Sequence, residues 1–145
     1  MTDHTFKLLW LRILLTGIAV VLIVFILMIL ITLVYGVILG FKARGTPDTE
    51  LINQFAENLS QWLSPLLIIL LSYFGGTLVS RKAGTLQLLH GVLLGLVIAL
   101  LSFIETKIFG GMMTLKEGMY LLFYVFAAGL GGYKAIPRKR DDSSF

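Results

Sequence analysis

The sequence predicts an all-α integral membrane protein with four transmembrane helices. Of its 145 residues, 57% are hydrophobic and only 14% are charged, and the mean hydropathy is +0.92. This composition lies outside the range of soluble globular domains. Long apolar runs recur along the chain, and charged residues flank them, as expected for helices that cross a bilayer. The whole chain, residues 1–145, is therefore predicted to form a single membrane domain.

The first transmembrane helix is predicted at about residues 13–40. No charged residue occurs between positions 13 and 41. A helix of that length measures roughly 43 Å against a hydrocarbon core of about 30 Å, so it must tilt or end above the membrane. A signal peptide is disfavoured, because the run is too long and no cleavage motif of small residues follows it.

The polar connection at about residues 47–61 shows helical periodicity. Its apolar residues recur every three or four positions, namely Leu51, Ile52, Phe55, Leu59, Trp62 and Leu63. This pattern predicts a short amphipathic segment in the outer headgroup region, with Trp62 as its anchor. The alternative is an ordinary helix that packs on top of the bundle.

Three further transmembrane helices complete the predicted bundle. Ser64 and Pro65 indicate the start of the second, at about 64–80, because proline is favoured at the first helical position. The third covers about 86–104 and the fourth about 117–134, followed by a polar tail at 135–145. With four crossings, eight of the twelve Lys and Arg residues lie on the side of the two termini. That excess predicts that both termini are cytoplasmic.

An internal repeat is one interpretation of the apolar segments. Residues 12–26 align with residues 90–104 without gaps, so that Gly17 meets Gly95. The repeating unit would be a helical hairpin, and two tandem hairpins of the same orientation would be related by an axis along the membrane normal. The alternative is chance similarity between apolar helices.

The small residues predict where the helices approach one another. Small side chains let helix backbones come close in lipid, where packing drives association. The predicted packing residues are Gly17, Gly75, Gly76, Gly91, Gly95, Ala99, Gly131 and Gly132. The glycines among them fall in the half of the bundle assigned to the cytoplasmic side, which predicts tight packing there and a wider outer half. The alternative is that these faces bind a partner helix or a second copy, and Gly36 and Gly40 are the better candidates for such an external contact.

Basic residues flank the predicted cytoplasmic face. Candidates for contact with anionic lipid headgroups are Arg81, Lys82, His90, Arg138, Lys139 and Arg140. Alternatively, the basic residues only fix the topology, and His90 bonds to backbone or water. Glu105 lies at the outer end of the third helix and is predicted to pair with Lys107 or Lys116.

Several functional classes are disfavoured by what the sequence lacks. It has no cysteine and only two histidines, and it has no phosphate-binding loop or nucleophile–base pair. We therefore predict no enzymatic activity, no cofactor, no metal site and no nucleic-acid partner. No ionisable residue is expected at the membrane centre, where ion-coupled carriers usually keep one.

The second predicted hairpin carries a pattern with a known counterpart. Its residues read Gly75-Gly-Thr-Leu-Val-Ser-Arg-Lys-Ala-Gly84, followed by Leu89-His90-Gly91 and Gly95-Leu96. This pattern resembles a family of uncharacterised small four-helix membrane proteins found largely in Gram-positive bacteria. The resemblance covers mainly residues 73–96 and implies a bacterial plasma membrane, but no activity. The chain departs from the family pattern in its 42–61 connection and its charged tail, so a partner that docks there would be particular to this chain.

The expected function is that of a structural or accessory subunit. Its expected partners are the lipid bilayer, including anionic lipid, and another integral membrane protein or a second copy of the chain. An oligomeric small transporter or channel is the alternative. It would need a polar path, for which the helices offer mainly Thr, Ser and Tyr.

Overall fold

The computed structural model describes residues 3–46, 48–83, 86–108 and 114–136, without the side chains of residues 3–9. These residues form four helices, α1 (Asp3–Ala43), α2 (Thr49–Ala83), α3 (Gln87–Ile108) and α4 (Leu115–Lys134). Among them, α1, α2 and α3 are long and apolar enough to cross a membrane. In α4, tyrosines and glycines interrupt the apolar residues, and this helix is not one of the three.

Helices α2 and α3 contact each other and form the centre of the bundle. Helix α1 packs against both of them, and so does α4. In the described residues α1 and α4 do not touch, so they lie on opposite sides of the α2–α3 pair. An exact two-fold repeat would convert the α2–α3 contact into an α4–α1 contact. The bundle therefore lacks the two-fold arrangement that the repeat interpretation predicts.

Helix α2 differs most from its prediction. The amphipathic segment and the second transmembrane helix, predicted to be separate with a start at Ser64 and Pro65, form one continuous helix with Pro65 inside it. Proline removes only one helical hydrogen bond, and packing can hold a helix together across that loss. Here the first turns of α2 are held against α1 by the rings of Tyr35 and Phe55, which stack with centroids 3.9 Å apart. The segment packs on α1 as the first turns of α2, and not as a separate helix on top of the bundle.

Helices α1 and α2 continue well past the ends of α3 and α4. Gly17 of α1 lies beside Val97 and Ile98 of the parallel helix α3. At 1.5 Å per residue, Ile108 is then about level with residue 28 of α1, which continues roughly 20 Å further. We call residues 33–43 of α1 and 49–60 of α2 the extension. Gly36 faces Ile52 within it, and a methyl group added to this glycine would lie 3.3 Å from Ile52 Cδ1, so Gly36 makes an internal contact rather than the predicted external one.

The extension has one apolar and one polar surface. On α1 an exposed apolar stripe recurs at helical spacing, formed by Leu33, Val34, Val37, Ile38 and Phe41. On α2 the exposed side is mainly polar and carries Glu50, Asn53, Gln54, Glu57 and Asn58. The stripe continues the exposed apolar surface that α1 shows along the rest of its length.

At the opposite end α2, α3 and α4 approach to backbone contact, and we call this the glycine end. Gly131 of α4 contacts the Tyr73 carbonyl of α2. A methyl group on Gly132 would lie 2.7 Å from the Gln87 carbonyl oxygen and 3.1 Å from Gly91 Cα of α3. Only glycine permits this approach, which matches the role of small residues in membrane bundles.

The other predicted packing residues also lie between helices. Gly76 and Gly91 both face the Ala128 carbonyl, and a Cβ on Gly95 would lie 2.5 Å from Val125 Cα. Gly17 and Gly75 face side chains instead, those of Val97 and Leu94. Ala99 is half-buried on α3. These glycine faces are used within the bundle, so they are not available to a partner helix.

Two hydroxyl groups tie the glycine end together. Thr77 Oγ1 shares its one hydroxyl proton between the Tyr73 carbonyl of its own helix (3.0 Å) and the Gly131 carbonyl of α4 (3.2 Å). Ser80 Oγ is fully buried and donates to the Gln87 carbonyl at 2.7 Å. These bonds fix α4 and α3 on α2 and close the bundle at this end.

Candidate functional site

Two adjoining cavities open at the end away from the glycines, and we call this the open end. The first, the chamber, has a volume of about 520 Å³ and lies between α2, α3 and α4. Its walls are mainly polar or aromatic and include Ser64, Glu105, Thr106, Lys116, Tyr120 and Tyr124. The second, the groove, has a volume of about 810 Å³ and lies between α1, α2 and α3. It is mainly apolar, with Val21, Val24, Phe25, Met28, Leu33 and Ile52 among its lining residues.

The cavities share a wall. Ser60, Ser64, Ile68 and Glu105 line both of them. A carboxylate and two hydroxyls therefore stand at the boundary between a polar space and an apolar one. This arrangement suits a molecule with a polar head and an apolar tail, because binding sites are typically apolar with a few placed polar groups.

Glu105 makes no ion pair or hydrogen bond within the described residues. The predicted pairing with Lys107 or Lys116 does not occur there. Lys107 Nζ lies 5.8 Å from the centre of the Phe103 ring, and Lys116 Nζ lies 4.2 Å from the centre of the Trp62 ring. Both ammonium groups thus have aromatic neighbours, and the Glu105 carboxylate remains available in the cavity wall.

The second carboxylate of the chamber has a structural partner. Glu117 Oε2 accepts a hydrogen bond from the Thr114 amide at 2.7 Å, and the Glu117 amide donates to Thr114 Oγ1 at 3.3 Å. This reciprocal pair is a capping box, which satisfies free amides at the start of α4. Glu117 is therefore engaged in holding the helix, unlike Glu105.

Ser102 adds an unsatisfied polar atom to the chamber. It is only 9% exposed and lies three residues before Glu105, on the adjoining turn of α3. Its Oγ is buried without a hydrogen-bond partner in the described residues. Buried hydroxyls are nearly always bonded, so Ser102 is an exception in the wall of the chamber.

The shape of the bundle follows from where its small residues lie. Glycines bring α2, α3 and α4 together at one end, while Tyr120, Tyr124 and Ile68 keep them apart at the other. The result matches the predicted bundle with one tightly packed half and one wider half. Pro65 also lines the chamber, at the position where α2 lacks one amide donor.

The three predicted headgroup residues that the structure describes, Arg81, Lys82 and His90, lie at the glycine end, away from the cavities. Arg81 and Lys82 are exposed at the end of α2. His90 Nδ1 donates to the Leu86 carbonyl at 2.9 Å, the backbone contact given above as its alternative role. Arg138, Lys139 and Arg140 lie outside the described residues.

The cavities could not be predicted from the sequence, because each of them is formed by three helices at once. Two signals pointed to them. Ser102 and Glu105 are three residues apart on one apolar helix, and Tyr120 and Tyr124 are four apart on the next. Such spacings place each pair on one helix face, but they do not show which neighbour that face meets.

No protein-family profile, curated protein or solved structure matches this chain. The resemblance to the small four-helix family described above therefore stays a prediction.

Proposed function

We propose that this chain is a multi-pass membrane protein that binds an amphiphilic molecule, a lipid or a lipid-like compound, in the outer half of a bacterial plasma membrane. The observation that carries the proposal is the wall shared by the chamber and the groove, which holds Glu105, Ser60 and Ser64. The role is one of binding, with no catalytic step.

The charged residues support a particular placement in the membrane. Arg81 and Lys134 stand at the glycine end, and Lys107 and Lys116 stand at the open end. Twenty residues of α2 separate Arg81 from Gln61, or roughly 30 Å, which equals the hydrocarbon thickness. The excess of basic residues near Arg81 favours the cytoplasm for the glycine end and for both termini. The cavities then open in the outer leaflet, and the extension stands above it.

In this placement an amphiphile can enter from the side. Its tail would lie in the groove, beside the exposed surface of α1, and its head would reach the chamber at headgroup level. The groove residues Phe25 and Met28 supply the apolar contact, and Ser64 and Glu105 supply hydrogen-bond acceptors.

The closed glycine end argues for a binding protein over an open channel. A passage to the cytoplasm would have to separate Gly131 from Tyr73 and break the hydrogen bond between Thr77 and Gly131. A transporter would need a second conformation in which α4 moves away from α2 and α3.

Native mass spectrometry of the purified protein tests the proposal. We expect one bound lipid-sized molecule, retained after gentle delipidation. Ala56 lines the groove, so the Ala56→Phe substitution should fill part of it and lower the bound fraction. Leu122→Phe is the matched control, because Leu122 is 71% exposed on α4. Equal occupancy in both variants, with both still folded, would contradict the proposal.

A role as an accessory subunit is the second candidate, and the apolar stripe of the extension favours it. Val37 and Ile38 are half exposed in a part of α1 that this placement puts above the bilayer, and such surfaces mark interaction sites. A photo-reactive residue at Val37 should cross-link to one protein species in intact cells. The same residue at Asn53, on the polar surface of the extension, should not. Identical patterns from both positions would reject the stripe as a contact surface.

A further inference from the structure

We propose that the ligand of the chamber is an organic cation, an alkylammonium compound whose ammonium group binds beside Glu105 and whose tail lies in the groove. This inference rests on the proposed function and adds the charge of the ligand. It follows from the three charged groups that line the chamber and from the aromatic rings around them.

The charges of the chamber are not equally available. Lys116 Nζ lies over the Trp62 ring at 4.2 Å and 5.8 Å from the centre of the Tyr120 ring. Glu117 is bonded to the Thr114 amide. Of the two carboxylates, only Glu105 lacks a hydrogen-bond partner within the described residues, and Lys116 has aromatic rings rather than a carboxylate beside it. A buried or half-buried carboxylate is costly without a counter-charge, so a cationic ligand supplies what the bundle itself does not.

The remaining walls of the chamber also suit an ammonium group. Tyr120 and Tyr124 line it, and aromatic faces attract quaternary ammonium ions.

An inorganic cation fits less well. No group of three or more metal-ligating side chains occurs within the described residues, and Ca²⁺ or Mg²⁺ would need several oxygen ligands. The adjoining apolar groove of about 810 Å³ would also have no role with a metal ion. The groove does have a role if the ligand carries an alkyl tail, because each buried methylene group adds affinity.

Binding to the full-length protein in nanodiscs of an uncharged glycolipid, whose head contains no ammonium group, tests the charge preference. Three probes share a dodecyl chain and differ in the head: trimethylammonium, an uncharged glucamide and a carboxylate. Empty nanodiscs provide the background for each probe. We expect the ammonium probe to bind at least about tenfold more tightly than the uncharged one, as for an ion pair in a half-buried site.

Two variants locate the preference. Glu105→Gln keeps the shape of the side chain and removes its charge, and should abolish the tenfold difference. Glu57→Gln removes a charge from the exposed side of α2, away from both cavities, and should leave the difference unchanged. The melting temperature of each variant, measured in the same nanodiscs, shows that the fold is intact.

The outcomes separate this inference from the proposed function. If all three probes bind wild-type protein equally, or if Glu105→Gln keeps the preference, the cation assignment is wrong and amphiphile binding stands. If the carboxylate probe binds best, the assignment is also wrong. If none of the probes exceeds the background, amphiphile binding itself is rejected, and the cation assignment with it.

Discussion

Gly131 of α4 rests directly on the Tyr73 carbonyl oxygen of α2, with no space for a methyl group between the two helices. The contact joins one backbone to another, so neither helix can relieve a clash by rotating a side chain. Thr77 Oγ1 lies within hydrogen-bonding distance of the carbonyl oxygens of these two residues, Tyr73 and Gly131. The closure of the glycine end, and with it the shape of the cavities at the other end, depends on this approach.

The Gly131→Ala substitution should therefore destabilise the protein. In an exposed helix this change would be favourable by about 1 kcal/mol, because alanine is the better helix former. Here the added methyl group must push α4 away from α2, and overpacking of this kind typically costs about 1–3 kcal/mol. Thermal unfolding in detergent measures the net effect.

Gly129→Ala on the same helix is the control for this prediction. A Cβ at Gly129 would lie 3.3 Å from Val92 Cγ2, the end of a side chain that can shift slightly. We expect little change in its melting temperature. If both variants were equally stable, the backbone contact at Gly131 would not be limiting.

Removing the Ser80 hydroxyl should weaken the contact between α2 and α3. Ser80→Ala deletes a buried hydrogen bond of 2.7 Å to the Gln87 carbonyl, which we expect to cost about 1 kcal/mol. Ser60→Ala serves as control, because exposed Ser60 bonds only the Glu57 carbonyl of its own helix. A smaller loss for Ser80→Ala than for Ser60→Ala would contradict the prediction.

A cysteine pair at positions 36 and 52 should react with a short bifunctional maleimide. The chain has no cysteine of its own, so only the two introduced cysteines can react with the maleimide. Gly36 faces Ile52 where α1 packs on the first turns of α2. The control pair Val37→Cys and Ile52→Cys has one member on the exposed stripe and should react much less. No cross-link at 36 and 52 would favour a segment that lies apart from α1 on the membrane surface.

Single cysteines at exposed positions test the orientation. Lys82→Cys lies at the glycine end and Lys107→Cys at the open end. With cytoplasmic termini, a membrane-impermeant maleimide added to intact cells should label position 107 and leave position 82 unlabelled until the cells are lysed. The reverse pattern would invert the topology and place the cavities in the inner leaflet.

The sequence alone was enough to predict which segments are helical, because each is marked locally. The uncharged run of α1 and the glycine-spaced face of α3 are visible within one segment, and length and periodicity decide them. The packing role of Gly95 and Gly131 was also predictable, since a glycine has few other uses inside a transmembrane helix. What each glycine contacts was not, because that depends on the rotation of the neighbouring helix.

Pro65 shows the limit of local rules. Next to Ser64 it is a reasonable helix start, and the separation of the amphipathic segment from α2 followed from that. The stacked rings of Tyr35 and Phe55 and the contact of Gly36 with Ile52 keep the helix continuous instead. Such contacts join residues about 20 or 15 positions apart in the sequence. Helix propensity reflects only a residue and its near neighbours, so it does not include these contacts.

Glu105 marks the same division at the candidate site. Its charge and its place near the end of an apolar helix were determined by the sequence, which suggested a nearby lysine as partner. The tertiary structure decided otherwise, because Trp62 comes from α2 to meet Lys116 and leaves the carboxylate at the wall between two cavities. Helix formation is set by each segment's own residues, whereas the surroundings of a side chain depend on how separate helices pack. The sequence therefore determined the helices and their close-packing faces, and the packing decided which polar group was left facing the cavities.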